Sequence, residues 1–408
     1  MLHRRALATA KHSTAANPRR IAAAAAALYL ICVPVSIRAE TILSANDATL
    51  TLIDGKLTVR DDAHIGSVSV IRLRNGHADV QAEVEVPTSV LGPPFSVAMT
   101  PNERLALVTA PLYIDPQGPA STASDDVVSI IDLEASPPQT IGNVRAGTGA
   151  AGVSITPDGT LALVANRRAG TVSVLAIEGR TVRNVDTVPV GNAESGVGHV
   201  AISPDGKRAL VTRDGDNTIS VLGIDGRRVT NLQRDFGVGL KPYGAVIARD
   251  GRVAIVANVS MGRGDDDTLS VIDMLASPVR VVGTVTVGQT PEGLTISPDG
   301  KWCAVALING SNKPRASPFH HPEGKLVLLR IEGLRLERVA EHPIGAWPQG
   351  AVFGADSRTL LVGSMSERNV SVFRVGARGT LTDTGQRIAL RGGNAALRAI
   401  EPATGSGR

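Results

Sequence analysis

Cysteine and aromatic residues are scarce in this sequence. Among 408 residues there are two cysteines, two tryptophans, three tyrosines and five phenylalanines. Because aromatics make up only 2% of the chain, the stacking surfaces that bind single-stranded nucleic acid are not expected. The net charge is +4 and the basic residues are scattered, so there is no basic stripe of the kind that follows a phosphate backbone. We therefore expect no nucleic-acid partner.

The sequence also lacks a long uninterrupted apolar segment. Basic residues between Arg4 and Arg20 precede an Ala-rich apolar run over residues 21–37, which a proline interrupts. A basic region, an apolar region and a small residue, here Ala39, are the parts of a secretory signal. We predict a signal peptide over residues 1–39, a periplasmic or secreted mature protein, and no membrane span after cleavage. An uncleaved membrane anchor is the alternative.

Few groups in the mature chain are typical of covalent or cofactor chemistry. Removal of the signal peptide takes Cys32 away and leaves Cys303 without a partner for an intrachain disulfide. Cys303 lies in the apolar stretch 302–305, where a buried and unreactive thiol is expected. The chain has no Gly-x-Ser-x-Gly elbow, phosphate-binding loop, haem-binding motif or dinucleotide fingerprint. We therefore expect no cofactor.

Glycine and proline are abundant, with 43 and 24 residues, as expected for many short strands joined by tight turns. A Pro-Asp-Gly turn motif begins at Pro157, Pro204 and Pro298, and four looser copies occur elsewhere along the chain. The first position of this motif, here called the marker, falls at residues 101, 157, 204, 249, 298, 355 and 402. Seven regularly spaced copies indicate a repeat architecture.

Each repeat contains segments for four short antiparallel strands. An apolar inner strand enters the turn, a second strand follows it, as in residues 161–165, and a third alternates, as in residues 171–174. A further turn leads to an outer strand, which completes a propeller blade. The first repeat lacks its inner strand and residues 393–400 supply a solitary one, so pairing the chain ends would close the ring. The sequence predicts an all-β, seven-bladed propeller over residues 40–404, with a tail at 405–408.

The repeat resembles the YVTN family of β-propellers, which are relatives of the lactonase-type seven-bladed propellers. The resemblance rests on the Pro-Asp-Gly turn, on Leu-Val-Ala-Asn at 163–166 and Ile-Val-Ala-Asn at 255–258, and on the Thr-Val-Ser-Val pattern. It extends over nearly all of residues 41–402 and implies the propeller fold. Lactonase-type relatives tend to carry several His, Arg and Glu residues around one channel mouth, whereas most inner strands here have glycine at the corresponding position.

The register of the repeat indicates which side chains reach that mouth. Five residues before the marker most repeats have glycine, as expected where inner strands crowd around an axis, but one repeat has His199. One residue earlier lie Tyr243, Glu292 and Gln349, and nine residues after a marker lies Arg213. We expect these side chains to share one polar pocket. Alternatively, they hydrogen-bond one another along a wet channel.

If the pocket is catalytic, His199 or Glu292 would be the general base that activates water, and Arg213 or Tyr243 would stabilise an oxyanion. Such a set suits the hydrolysis of lactones or esters, with Gln349 contributing to ligand binding. Asn166 and Asn258, which end the YVTN pattern, are further candidates for ligand binding, although asparagine there also suits a strand-end turn.

Two groups of charged side chains raise the question of a metal site. His320 and His321 are adjacent in a long insertion, and residues 265–267 form an acidic turn. Adjacent histidines rarely face one ion, and three exposed carboxylates in a loop are usually solvated, so we predict no metal site.

Three functions remain open. The leading hypothesis is a non-catalytic binding or scaffold protein of the cell envelope, which would hold an envelope protein or a small molecule at the channel mouth and loop face. A periplasmic lactonase-like hydrolase is the first alternative, and an accessory protein of a periplasmic redox enzyme is the second. Insertions at about 47–65, 111–125 and 309–324 would form a partner-binding rim if they lie on one face. We expect a monomer.

Overall fold

The computed structural model describes residues 39–89, 94–114 and 123–400. The predicted signal peptide, up to residue 38, and the predicted tail lie outside these residues. No helix in the described part of the chain is long and apolar enough to cross a membrane. All regular elements in that part are β-strands.

Seven four-stranded antiparallel sheets form the blades, as the repeat predicts. We number the blades 1 to 7 in chain order and count blade 1 as the one that contains both ends of the chain. Their inner strands span Gly393–Arg398, Val97–Met99, Ala150–Ile155, Val197–Ile202, Pro242–Ile247, Pro291–Ile296 and Pro348–Phe353. Their second strands span Glu40–Asp47, Leu105–Thr109, Leu161–Asn166, Arg208–Arg213, Val253–Asn258, Trp302–Leu307 and Thr359–Ser364.

The outer half of each blade consists of two further strands. The third strands span Ser67–Arg74, Val127–Asp132, Thr171–Glu178, Thr218–Asp225, Asp267–Asp273, Gly324–Glu332 and Asn369–Val375. The outer strands span His77–Glu85, Gln139–Arg145, Thr181–Pro189, Arg228–Asn231, Arg280–Gly288, Arg335–Ile344 and Leu381–Ala389. In blade 4 the short strand Phe236–Gly237 also pairs with the third strand.

The ring closes within blade 1, where the two ends of the chain pair. Leu43 lies opposite Arg398 on one side, in an antiparallel ladder that joins Glu40–Asp47 to Gly393–Arg398. On its other side the same strand pairs with Ser67–Arg74, with Ile42 opposite Ile71. The second strand of blade 1 therefore has both of its edges paired, which removes a template for aggregation.

The Pro-Asp-Gly turns reverse the chain between the inner and second strands. In blade 3 the Asp158 carboxylate accepts hydrogen bonds from the Thr160 backbone N–H at 3.0 Å and from the Thr156 hydroxyl at 2.6 Å. Gly159 follows with a φ of +73°, a conformation that glycine adopts without steric cost. This end of the inner strands is here called the turn mouth, and the opposite end the loop mouth.

Apolar side chains fill the space between neighbouring blades. Between blades 3 and 4, for example, Leu163 and Val174 pack with Val200 and Val211, and all four are fully buried. Burying one such side chain contributes about 1.5–3 kcal/mol, and this packing recurs around the ring. Cys303 is part of this core, and burial raises the pKa of its thiol well above the usual range, as expected for an unreactive cysteine.

The three insertions connect second to third strands, so their described residues lie at the loop mouth, while residues 115–122 of the second insertion lie outside the described residues. The insertion of blade 1 forms a hairpin, Leu50–Ile53 and Lys56–Val59, whose Leu52 and Leu57 pack against Trp347 of blade 7. At its tip, Asp54 accepts a 2.7 Å hydrogen bond from the Arg315 backbone N–H in the insertion of blade 6. The hairpin therefore forms a roof over part of the loop mouth; whether it binds a partner protein stays a prediction.

Candidate functional site

A break in the inner strands positions the polar side chains at the loop mouth. The ladder between inner and second strands shifts register between Pro242 and Ala245, between Pro291 and Gly293, and at the matching places in blades 4 and 7. A bulge of this kind re-aims side chains that would otherwise follow the pleat of the strand. Tyr243, Glu292 and Gln349 are residues of these bulges.

The bulge in blade 4 is fixed by a threonine of the second strand. The His199 backbone N–H donates a 2.9 Å hydrogen bond to the Thr212 hydroxyl. The same hydroxyl donates to the Tyr243 carbonyl of blade 5, also at 2.9 Å. One side chain thus satisfies the irregular backbone of its own blade and ties it to the next.

We use the name loop-mouth cluster for five polar residues of blades 3 to 7, four of which interact in the structure. They are Arg167, Asp214, Tyr243, Glu292 and Gln349. Arg167 Nη2 forms a 2.6 Å ion pair with the Asp214 carboxylate, and the arginine and aspartate side chains are 35% and 10% exposed. The pair therefore lies at the boundary between the channel and solvent.

Burial sets the protonation of this cluster. It raises the pKa of Glu292 to about 8, compared with the ordinary value of 4.5, because removal of water disfavours the charged carboxylate. Burial also raises the pKa of Tyr243 well above its ordinary value, and the neighbouring Glu292 adds to that shift. For Arg167 burial acts against the charge, but Asp214 and Tyr243 outweigh it and the pKa is raised. At neutral pH the cluster thus holds the ion pair of Arg167 and Asp214 and a carboxyl near its titration point.

Three polar atoms of the cluster have no hydrogen-bond partner among the described residues. They are Arg167 Nη1, Glu292 Oε2 and Gln349 Oε1, and all three are buried. Buried polar atoms without partners are rare in folded proteins, since leaving one unsatisfied costs about 1–3 kcal/mol. One strong donor and two further polar groups of the cluster therefore remain unsatisfied within the described part of the chain. A Cβ at Gly198 would lie 3.3 Å from Thr212 Oγ1 and 3.6 Å from Arg167 Nη1, so the glycine lets these side chains pack closely on the inner strand of blade 4.

His199 is fully buried and is held as a neutral imidazole. Its ring stacks on Phe95 of blade 2, with the ring centroids 3.9 Å apart. Burial lowers the pKa of His199 well below its ordinary value, and the positive charge of Arg398 adds to the effect. The Ala245 backbone N–H donates to Nδ1 at 3.3 Å, which leaves the proton on Nε2. His199 is therefore placed to donate a hydrogen bond, whereas its lone pair is already engaged.

The stacked rings of Phe95 and His199 reach across the channel and fill its middle. Glycines on the inner strands make room for them. A Cβ at Gly152 would lie 2.7 Å from His199 Cδ2, and one at Gly244 would collide with the Phe95 ring. The predicted crowding around the axis thus has a specific cause, namely the two rings that divide the channel.

Arg213 lies apart from this cluster. Its guanidinium donates from Nε to Asp216 at 2.7 Å and from Nη1 to Asp235 at 2.6 Å, both within blade 4. A third hydrogen bond, of 3.1 Å, links Nη1 to the Ser220 hydroxyl of the third strand. The structure therefore does not bring Arg213 together with Glu292, whereas Arg167 lies in the cluster.

Asn166 and Asn258 have the same position in their blades as Arg213, and both brace the backbone. The Asn166 amide donates to the hydroxyls of Thr171 and Ser173 at 2.9 and 3.0 Å, and its oxygen accepts from the Gly147 N–H at 3.0 Å. The Asn258 amide makes the corresponding bonds, both of 3.0 Å, to Thr268 and Ser270. Both asparagines therefore stabilise the ends of their strands. These contacts use most of the hydrogen-bonding groups of their side-chain amides, which a ligand would need.

Arg167 and Asp214 are not among the residues that the sequence predicts for the site. Each lies ten residues after its marker, one residue beyond the position that was compared between repeats. The second strands of blades 3 and 4 end at Asn166 and Arg213. The side chain of the next residue therefore no longer follows the alternation of the strand and turns to the channel. A comparison that continued past the strand end would have found an Arg and an Asp in adjacent repeats.

The other polar groups do not assemble into a metal site. Within residues 39–89, 94–114 and 123–400, no three His, Cys, Asp or Glu side chains are grouped to hold a metal ion. In the acidic turn, Asp267 is buried, which raises the pKa of its carboxyl, and it accepts a 2.8 Å hydrogen bond from the Thr290 backbone N–H. That aspartate has a structural contact of its own.

Comparison with known families identifies one match in sequence. A profile of the family described as "Lactonase, 7-bladed beta-propeller" matches residues 127–239. This stretch extends from the third strand of blade 2 through blade 4, and it includes Arg167, His199 and Asp214. Among curated proteins, none matches the chain.

Solved structures share the whole architecture. A protein from Bacteroides uniformis described as a "putative 6-phosphogluconolactonase" superposes with a TM-score of 0.69 at 15% identity, over 89% of this chain and 99% of that one. The periplasmic gluconolactonase of Pseudomonas aeruginosa gives a TM-score of 0.65 at 18% identity, with 89% and 99% covered. Hydrazine synthase from Kuenenia stuttgartiensis gives 0.58 at 20% identity, with 76% and 93% covered. At these identities the likeness concerns the fold.

Proposed function

We propose that this protein is a lactonase-type hydrolase and that its reaction takes place at the loop-mouth cluster. The observation that carries the proposal is the set of buried, unpartnered polar atoms there, in particular Arg167 Nη1 beside a carboxyl of perturbed pKa, Glu292. Groups with shifted pKa values that share one cleft are typical of catalytic sites. The family profile over residues 127–239 and the two gluconolactonase-type structures support the choice of a lactone as substrate.

The chemistry follows from the protonation of the cluster. In its ionised form Glu292 accepts a proton from water as the water oxygen bonds to the carbonyl carbon of the lactone. Negative charge then develops on the carbonyl oxygen, where the Arg167 N–H stabilises it. When the ring C–O bond breaks, the proton passes from Glu292 to the departing alkoxide oxygen, and a hydroxy acid is released.

The remaining residues orient these two groups. Asp214 holds the Arg167 guanidinium by one edge and leaves Nη1 free to face the substrate. Tyr243 stays protonated because its pKa is raised, so its hydroxyl is available as a donor. The Gln349 amide oxygen, which has no partner in the described part of the chain, accepts a hydrogen bond from a substrate hydroxyl. These features favour a small polyhydroxylated lactone over the scaffold role that the lack of a catalytic motif suggested.

We also propose that the mature protein acts outside the cytoplasm. The support is the arrangement of basic, apolar and small residues before Glu40, together with the fold likeness to a periplasmic gluconolactonase. N-terminal sequencing of the protein recovered from a periplasmic extract tests this: a start at Glu40 is expected, and recovery from the cytosol alone would contradict it.

The test of the hydrolase is acid release from glucono-δ-lactone and from a panel of simpler γ- and δ-lactones, followed at constant pH. We expect turnover by the wild type and a loss of about 10²-fold or more in kcat for Glu292→Gln. Glu332→Gln, at an exposed end of the third strand of blade 6, is the matched control and should match the wild type. Failure of the wild type to hydrolyse any lactone would reject the proposal.

A further inference from the structure

A second cavity lies on the other side of the stacked rings of Phe95 and His199, and it opens at the turn mouth. Its volume is 540 Å³, within the range of pockets that hold small molecules. The lining extends from His199 at the inner end to Pro101 and Pro298 in the turns. We call it the turn cavity. None of the five residues of the loop-mouth cluster lines it, so the two sites are separate.

The inner strands line the turn cavity mainly with apolar side chains. One repeat position, three residues before the marker, contributes Ala201, Val246, Val352 and Ala399 from four different blades. Further apolar lining comes from Ile202, Ile247, Leu294, Ile296, Phe353 and Ile400. Concave sites with predominantly apolar walls are typical of small-molecule binding.

Part of this apolar lining is accessible. Val246 and Ile296 are only partly buried against the core between blades 5 and 6, and Ala399 and Ile400 are also only partly buried. Apolar surface in contact with water is unfavourable, and covering it contributes about 25 cal/mol for each Å². An apolar ligand would therefore gain free energy by displacing water from these walls.

The charged side chains around the turn cavity interact within the protein. The Arg398 guanidinium lies over the Phe95 ring, with Cζ 5.1 Å from the ring centroid, and Arg249 has an interaction of its own. Glu103 accepts a 2.5 Å hydrogen bond from the Thr41 hydroxyl. An ionic ligand would lose its hydration in the cavity without a charged group that is held ready for it, so it would bind poorly.

The polar groups of the lining are likewise occupied or out of reach. The Ser154 hydroxyl and His199 Nε2 have almost no accessible surface, so a ligand cannot contact them. The Ser297 hydroxyl donates a 2.6 Å hydrogen bond to Asp299. At the rim, Glu40 accepts a 2.7 Å hydrogen bond from a backbone N–H of blade 7, and burial raises its pKa to about 7. These groups offer little to a strongly polar ligand.

We propose that the turn cavity is a binding site for uncharged, mainly apolar small molecules, whose apolar body contacts Val246, Ile296 and Ile400. Binding there does not depend on hydrolysis at the loop-mouth cluster. The ligand also differs from the polyhydroxylated lactone proposed for that cluster, because sugar hydroxyls would lose hydrogen bonds to water against the apolar walls.

Isothermal titration of the purified protein at pH 7 with 1-octanol, octanoate and octylamine tests the proposal. The three compounds share one alkyl chain and differ in the charge of the head group. We expect octanol to bind at least about tenfold more tightly than either ion, because burying an unpaired charge is costly. Binding of octanoate or octylamine as tight as that of octanol would overturn the assignment. No binding of octanol, the result expected if another part of the chain or a second copy fills the cavity, would also overturn it.

A conservative variant tests whether the walls bind the ligand. Val246→Thr keeps the shape of the side chain and replaces one methyl group by a hydroxyl, so octanol affinity should fall about fivefold. Val185→Thr, on the outer strand of blade 3 and 46% exposed, is the matched control and should bind octanol like the wild type. Equal affinities of the two variants would contradict contact between Val246 and the ligand.

A second pair of variants locates the site. Ala399→Phe places a ring in the turn cavity, which Ala399 lines, and should abolish octanol binding. Ala377→Phe, in an exposed turn of blade 7, makes the same substitution outside the cavity and should bind normally. Glu292→Gln should keep full octanol affinity even though it blocks hydrolysis. Octanol binding that survives both Val246→Thr and Ala399→Phe would place the ligand elsewhere and refute the proposal.

Discussion

Arg167 of blade 3 and Asp214 of blade 4 form an ion pair of 2.6 Å across the boundary between two blades. The two residues have the same position in consecutive repeats, ten residues after the marker. The same repeat position thus supplies the cation in blade 3 and, in blade 4, the anion that orients it. The functional groups of the loop mouth are therefore assembled by the ring as a whole, since no single blade contains both partners.

The ion pair predicts a graded effect of Asp214→Asn. The amide still accepts one hydrogen bond from Arg167 but no longer fixes the charge, so Nη1 loses its orientation toward the transition state. We expect kcat to fall about tenfold with a smaller change in KM, and a steady-state assay measures both. Asp235→Asn, which alters the ion pair of Arg213 instead, is the control. An equal loss in both variants would indicate a general loosening of blade 4.

The pKa of Glu292 predicts the pH dependence of hydrolysis. Only the ionised carboxylate can accept a proton from water, and burial raises its pKa to about 8. Below that value kcat/KM should rise about tenfold per pH unit, and it should level off above it. Rates corrected for spontaneous lactone hydrolysis between pH 6 and 9 provide the measurement. A profile that is flat, or that falls toward alkaline pH, would exclude Glu292 as the base.

The same carboxyl should make stability depend on pH. In the folded chain Glu292 keeps its proton up to a pKa of about 8, whereas in the unfolded chain it ionises near the ordinary value of 4.5. Between these values the folded state binds more protons, so this group lowers stability as pH rises. Glu292→Gln should therefore gain on the order of 4 kcal/mol over the wild type on going from pH 5 to pH 9. Denaturant unfolding of both proteins at the two pH values checks this, and a constant difference would disagree.

The stacked rings predict a penalty for filling the glycine beside them. In Gly244→Ala the added methyl group would collide with the Phe95 ring, which packs against His199 and has little room to move. We expect a loss of about 1–3 kcal/mol in the free energy of unfolding. Gly283→Ala is the matched control in the same blade, because its nearest neighbour would be Val271 Cβ at 3.9 Å. If the two alanine variants were equally stable, the rings would not be closely packed.

The sequence was sufficient to predict the fold because each blade repeats the same physical solution. The closed propeller is the one arrangement that fits the Asp-Gly turns, the buried strands and the solitary last strand. The closure in blade 1 confirms it. That Tyr243, Glu292 and Gln349 share one pocket stays a prediction. They share a repeat position, and the bulge in each inner strand treats them alike.

Arg213 shows why the remaining site residues could not be predicted from the sequence. Its repeat position is that of Asn166 and Asn258, whose amides bond the third strand, and Arg213 makes the corresponding bond to Ser220. Asp216 and Asp235 then neutralise the extra charge. The repeat register predicts the position of a residue along its strand. Whether the side chain turns to the channel or pairs with a nearby carboxylate depends on loops that differ from blade to blade.

The closure of blade 1 also imposes an order of events. Glu40–Asp47 is made among the first described residues, and its partner Gly393–Arg398 among the last. Until the ribosome has released that final strand, blade 1 is incomplete and the ring stays open. Any step that needs an unfolded chain, such as passage through a translocation pore, must therefore come before the ring closes. During this interval the vacant edge of Glu40–Asp47 can accept the last strand of another copy. Refolding yield should therefore fall as the protein concentration rises.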